Sequence, residues 1–136
     1  MSLDSLQFVI YGAPRTKKTS NRIFKKAGSG RPLIMPSEAH QSWFARAKIQ
    51  LIESRIQRNS ALGVKFPIKE PVSIEAHFYR DANRGDAVGY FQALADVLER
   101  AKIIENDRNI ADWDGSRLHK DSIDPRIVVV VKILKS

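Results

Sequence analysis

Alternating and helical patterns of apolar positions divide the chain into strands and helices in mixed order. Leu6 to Tyr11 is an apolar run closed by Gly12 and Pro14, which predicts a strand. Arg22-Ile23-Phe24-Lys25 and Pro32-Leu33-Ile34-Met35 flank Gly28-Ser29-Gly30 and predict a hairpin, because glycine supplies the positive φ of a tight turn. Pro36-Ser37 opens a helix, with Ser37 as N-cap and Glu38 at the positive helix end. Trp43, Ala47 and Leu51, then Ile49, Ile52 and Ile56, form its apolar stripe, and the helix is expected to fade near Asn59. Pro71 to Tyr79 alternates Val72, Ile74, Ala76 and Phe78 with polar residues and predicts a strand. A second helix is predicted from Asp86 to Ala101, its core face carrying Phe91, Leu94, Ala95 and Leu98. Ile103-Ile104, an acidic turn at Glu105-Asn106-Asp107 and a short strand near Asn109 to Trp113 follow. Asp114-Gly115 is a hairpin-turn signal. Arg126 to Leu134 is nearly continuous apolar sequence and predicts a buried strand. The order predicts an α+β fold, a single mixed β-sheet with two main helices packed on it, in one domain spanning residues 1–136.

Composition narrows the functional classes. A chain of 136 residues buries enough surface to fold without staples, and the absence of cysteine excludes disulfides and thiolate metal sites. No apolar run reaches membrane-spanning length and no secretion signal opens the chain, so a cytoplasmic protein without a membrane partner is expected. Charge is more informative. Residues 1–69 carry 13 Lys/Arg against 3 Asp/Glu, whereas residues 70–136 carry 10 against 12. Arg15 to Arg31 holds seven basic residues and no acid. Such a stretch attracts a polyanion, and nucleic acid is the expected one, bound through phosphate neutralisation and counterion release. Lys17, Lys18, Arg22, Lys25, Lys26 and Arg31 are the expected phosphate contacts.

Phosphodiester cleavage with a divalent metal needs carboxylates that converge from different elements. Asp86, at a helix start, and Asp107, in the turn after that helix, converge only if the exit chain turns back along the sheet. Taken singly, Asp86 reads as an N-cap and Asp107 as a turn residue. His40, His77 and His119 have no metal-site spacing and read as surface or sheet residues. Gly28-Ser29-Gly30-Arg31 lacks the Gly-Lys-Ser/Thr ending of a phosphate-binding P-loop. Trp43 is expected in the core, whereas Trp113 either covers the sheet or stacks on a base. Phe24 reads as a loop anchor, with a wedge into a DNA branch point as the alternative.

Gly85 to Leu98, followed by Ile103-Ile104-Glu105-Asn106-Asp107, resembles the signature region of RusA-type Holliday junction resolvases, phage-borne members included. Tyr11 to Ser20 resembles that family's Gly-x-Pro-x-x-Lys opening, and Pro36-Ser37 before the Trp43 helix, Asp114 to Arg117 and Asp124 to Arg126 also fit. The resemblance implies a homodimeric, Mg²⁺-dependent endonuclease that nicks four-way or other branched DNA without a small-molecule cofactor. It assigns Asp86 and Asp107 as catalytic and metal-binding residues. Val88, Gly89 and Gln92 stand where the family has an acid, an Asn and a Lys. A further carboxylate is therefore needed, from Glu105, Asp96, Asp112 or Asp81, and Glu105 is preferred as the neighbour of Asp107. The alternative is a catalytically impaired branched-DNA-binding module.

Overall fold

The computed structural model describes residues 5–17, 21–25, 32–36, 38–62, 65–83 and 85–134, with side chains described outside 21–25, 32–36 and 59–62. It is an α+β fold built on one mixed five-stranded sheet. Strands β1 (Ser5–Tyr11), β7 (Arg126–Ile133) and β4 (Val72–Arg80) lie side by side and antiparallel. The free edge of β4 is shared by two short strands, β5 (Ile110–Asp112) and β6 (Arg117–Lys120), both parallel to it. The two strands of the expected hairpin pair antiparallel as β2 (Asn21–Lys25) and β3 (Pro32–Pro36) in a separate sheet, and the expected turn at Gly28-Ser29-Gly30 lies outside the described residues.

The register aligns apolar side chains in rows across the strands. Ile127 pairs with Ile10 and Phe78, Val129 with Phe8 and Ala76, and Val131 with Leu6 and Ile74. All nine are buried, because alternate residues of each strand share one face. Helix α1 (Glu38–Leu62) contributes Trp43, Ala47 and Leu51 to this core, and helix α2 (Ala87–Arg100) contributes Tyr90, Leu94, Val97 and Leu98. The i, i+4 row of α1 is therefore the packed one. Ile49 and Ile56, expected on its apolar stripe, are more than half exposed. In α2, Phe91 is only partly buried and packs at the core margin. Among the described residues no helix is long and apolar enough to cross a membrane.

Asp114-Gly115 does not close a hairpin. β5 and β6 run in the same direction beside β4, so residues 113–116 are an interruption in one edge strand. Gly115 adopts φ +83°, and a Cβ there would meet the Glu75 side chain at 3.2 Å. Ser116 mends the ladder: its hydroxyl accepts from Ala76 N–H at 2.9 Å and donates to the Ile74 carbonyl at 3.2 Å. A turn signal reports a local backbone reversal of φ, and an outward loop within an edge strand satisfies it as well as a hairpin does.

The exit from α2 sets where the chain returns. Ile103 N–H donates to Leu98 O and Lys102 N–H to Glu99 O, which is the Schellman pattern of a helix end. Lys102 takes the left-handed position usually filled by glycine, with φ 62°. Replacing it by glycine removes the Cβ penalty, partly offset by the greater freedom of the unfolded chain. Lys102→Gly is expected to stabilise the protein by about 0.5–1 kcal/mol and Lys102→Val to destabilise it, read as shifts of the urea midpoint at unchanged slope.

Candidate active site

α2 begins where the sequence predicts. Asp86 is its N-cap, with extended φ and ψ, and its Oδ1 accepts from Gly89 N–H at 2.9 Å. This satisfies one of the orphan donors of the first turn. Thr16, buried, packs on the same turn. A Cβ on Gly89 would lie 3.1 Å from Asp86 Oδ1 and 3.3 Å from Thr16 Cγ2. Glycine at 89 thus leaves room for residues 12–17 to cross the start of α2 without crowding the cap. Arg15 is anchored there by a two-pronged ion pair with Asp81, at 3.0 and 3.1 Å. That pairing fixes the root of the cationic segment and carries Lys17 to the open side of α2.

From the other end of the helix, the chain folds back. Ile104 forms a parallel bridge with Ile68: Ile68 N–H donates to Ile103 O, and Glu105 N–H donates to Ile68 O, both at 2.9 Å. Asn109 Nδ2 donates to Lys69 O at 2.7 Å, and Asp107 N–H donates to Glu99 Oε1 at 2.8 Å. These bonds lay the 3₁₀ turn Asp107–Asn109 alongside α2. The return that convergence of Asp86 and Asp107 would require therefore exists.

The result is a depression of about 290 Å³ lined by Lys17, His40, Gly89, Gln92, Ala93, Asp96 and Asp107. Gly89, Gln92, Ala93 and Asp96 follow i, i+3, i+4, i+7 spacing and form one stripe of α2. Asp107 faces this stripe from the returning chain. A second depression shares Lys17, His40 and Asp96 and continues toward Phe44 and Arg100. A third shares Gln92 and Asp107 and continues toward Trp113. Together they make a trough along the outer side of α2. Arg100 approaches Asp96 at 3.9 Å, an exposed i, i+4 pair of small energetic weight. His40 contacts the carbonyl of Arg15 through Nδ1 at 3.4 Å. Burial holds its pKa below the ordinary histidine value, as does the charge of Lys17, against the opposing effects of the Arg15 contact and Asp96.

Asp86 and Asp107 are both exposed and flank the same helix stripe, Asp86 through the capping bond to Gly89 and Asp107 as a lining residue. The carboxylate that joins Asp107 in the depression is Asp96. Glu105 is exposed, its amide committed to Ile68, and it is not among the described residues that line the depression. Asp81 is engaged by Arg15. Asp112 lies on β5, where it accepts from the Ser73 hydroxyl and Asp114 N–H, bonds that hold its carboxyl below the usual range. Among the described residues, no three His, Asp or Glu side chains gather closely enough to hold one metal ion. Of the basic residues, Lys17 stands exposed at the depression. Arg22 and Lys25 lie on β2, their side chains beyond the described set, and Lys18, Lys26 and Arg31 lie outside the described residues. The chain matches no known protein-family model and no curated protein.

The open face of the sheet carries a network that spacing did not reveal. His77 Nε2 lies 2.9 Å from Glu75 Oε2, and His77 Nδ1 lies 2.9 Å from His119 Nε2. A carboxylate only accepts, so His77 Nε2 carries the proton toward Glu75, and a single hydrogen lies between His77 Nδ1 and His119 Nε2. Lys132 donates to the other oxygen of Glu75 at 3.1 Å. The His77 and Lys132 bonds hold Glu75 below the usual carboxylate range. His119 stacks on Tyr79 at 4.5 Å, with Arg126 over the same Tyr79 ring at 4.1 Å. Burial lowers the pKa of His119, assisted by the charges of His77, Arg117, Arg126 and Arg80.

The unfolded chain therefore takes up a proton at His119 more readily than the folded chain does. This contribution to stability is present above the unfolded value of about 6.5 and is lost as pH falls through the lowered folded value. The urea midpoint is expected to drop between about pH 7.5 and 5.5, above the range where carboxylates titrate, with a shallower drop in His119→Gln. An equal slope in wild type and variant would contradict the assignment.

Proposed function

We propose that this protein is a Mg²⁺-dependent endonuclease of the RusA kind that cuts branched DNA, four-way junctions included. The observation that carries this reading is the meeting of Asp96 and Asp107, from separate elements, in one depression with Lys17. Lys17 is the first described lysine of a segment with seven basic residues and no acid. Acids for a cation beside a base for a phosphate is the arrangement that metal-assisted phosphodiester hydrolysis uses.

Two carboxylates suit Mg²⁺, which typically keeps several waters and takes one or two protein carboxylates plus substrate phosphates. Asp96 and Asp107 would hold the ion, which would supply charge neutralisation at a phosphate oxygen and a more acidic bound water. Lys17 binds and orients the phosphate by charge. The Gln92 amide, on the same stripe, donates a neutral hydrogen bond where the family has a lysine. Asp86 sets the start of α2 and adds negative charge at the end of the trough. A second copy of the chain would serve the opposite strand, since a four-way junction has near two-fold symmetry. The cytoplasm is where such a substrate is met.

A second reading, a junction-binding module without cleavage, is favoured by the absence of a three-acid group among the described residues and by exposed Val88 in an acid's position. Cleavage of a synthetic four-way junction separates the two. With Mg²⁺, paired nicks are expected in wild type. Asp107→Asn and Asp96→Asn are expected to cut on the order of 10²-fold more slowly while still binding the junction, the scale of losing one preorganised charged group. Asp86→Asn keeps a capping side chain, so loss of cutting there at unchanged stability would assign its charge to the reaction. Junction binding without any cutting in Mg²⁺ or Mn²⁺ would replace the endonuclease reading by the second one, and unchanged cutting by the Asp107 and Asp96 variants would refute the site.

A further inference from the structure

Beside the two acids lies a cavity of different chemistry. It measures about 270 Å³ and is lined by Val88, Phe91, Gln92, Ala95, Ile110 and Trp113, with Asp107 at its border to the acid pocket. Phe91 and Trp113 are stacked, 4.6 Å between centroids and 5° from parallel. Val88 is 61% exposed on the helix, an apolar side chain held in solvent at the rim. Trp113 stands there because the edge strand breaks after Asp112. Residues 113–116 leave the ladder while the Ser116 hydroxyl takes the place of the backbone groups withdrawn.

We propose that this cavity receives one unpaired nucleobase of the bound DNA. The inference rests on the DNA reading above and extends it from the phosphate to the base. A nucleobase is flat and apolar on its faces and polar at its edge. The cavity offers a flat stacked aromatic pair, aliphatic walls from Val88, Ala95 and Ile110, and one amide, Gln92, able both to donate and to accept. The occupant is chosen by charge and by continuity. The chain carries a net charge of +8, concentrated in its first half, and the cavity shares Gln92 and Asp107 with the depression that holds Lys17. A base seated here belongs to a strand whose phosphate reaches the acids. A base inside a duplex cannot enter, whereas a branch point offers bases that unstack at small cost. The cavity thereby couples cutting to the presence of a branch.

Tryptophan emission and binding affinity test this together, with a fluorescein-labelled four-way junction and a linear duplex of the same sequence, both in EDTA to prevent cutting. The protein has two tryptophans, and Trp43 is buried in the core. Saturation with the junction is expected to quench the emission of Trp113, and saturation with the linear duplex to leave it. Trp113→Ala is expected to bind the junction on the order of tenfold more weakly, Trp113→Phe to recover most of that, and neither to change the salt dependence. Lys17→Ala is expected instead to lower the salt slope by about 1. Normal junction affinity with unquenched tryptophan would overturn the base pocket and leave the DNA reading standing. Failure to bind junction or duplex at all would remove both. If Trp113→Ala does not fold, the wild-type emission decides.

Discussion

The placement of Asp107 beside α2 depends on the parallel bridge between Ile104 and Ile68. Two backbone hydrogen bonds, Ile68 N–H to Ile103 O and Glu105 N–H to Ile68 O, reverse the chain after α2 and hold it against the segment that leads into β4. Ile68, Ile103 and Ile104 are buried, so those bonds are made away from water and are expensive to leave unmade. Without them Asp107 would lie beyond the far end of a 14-residue helix, whose length is about 21 Å, and out of reach of the stripe that starts at Gly89. With them, an acid from a turn faces an acid from mid-helix.

The opposite anchor is at the start of α2. Asp86, Gly89 and Thr16 form a tight contact, and Arg15 locks to Asp81, so the basic segment departs from a fixed point beside the acids. The energetic parts are ordinary: a helix cap, an ion pair and a glycine where a Cβ would be crowded. Their effect is electrostatic. Lys17 on the basic segment and the carboxylates of Asp96 and Asp107 are thereby set side by side from separate elements. The aromatic pair Phe91–Trp113 then extends the same trough with an apolar section.

Much of this architecture was legible from residue patterns. The strands, the helices and the capping role of Asp86 follow from local signals, because alternation, periodicity and a cap are written within a few residues. Three features were not legible, and all are non-local. Asp114-Gly115 reads as a hairpin because nothing nearby says that β6 joins β4 in parallel; the partner residues lie about 40 positions away, as with Ser116 and Ala76. Nearness to Asp107 in the chain points to Glu105 as the third acid. In three dimensions its amide serves the Ile68 bridge, and the acid that meets Asp107 is Asp96, set by helix phase and the chain's return. The Glu75–His77–His119 line was hidden for the same reason, since it spans strands β4 and β6.

The central claim is that Asp96 and Asp107 form one cation-binding pocket next to Lys17. Amide NMR spectra recorded during titration with Mn²⁺ test it most directly, because paramagnetic broadening falls steeply with distance from the ion. The amides of Gly89, Gln92, Ala93, Asp96 and Asp107 are expected to broaden first, and Asp107→Asn to abolish that pattern. Broadening that begins instead around Asp121 and Asp124, or that persists unchanged in Asp107→Asn, would contradict it.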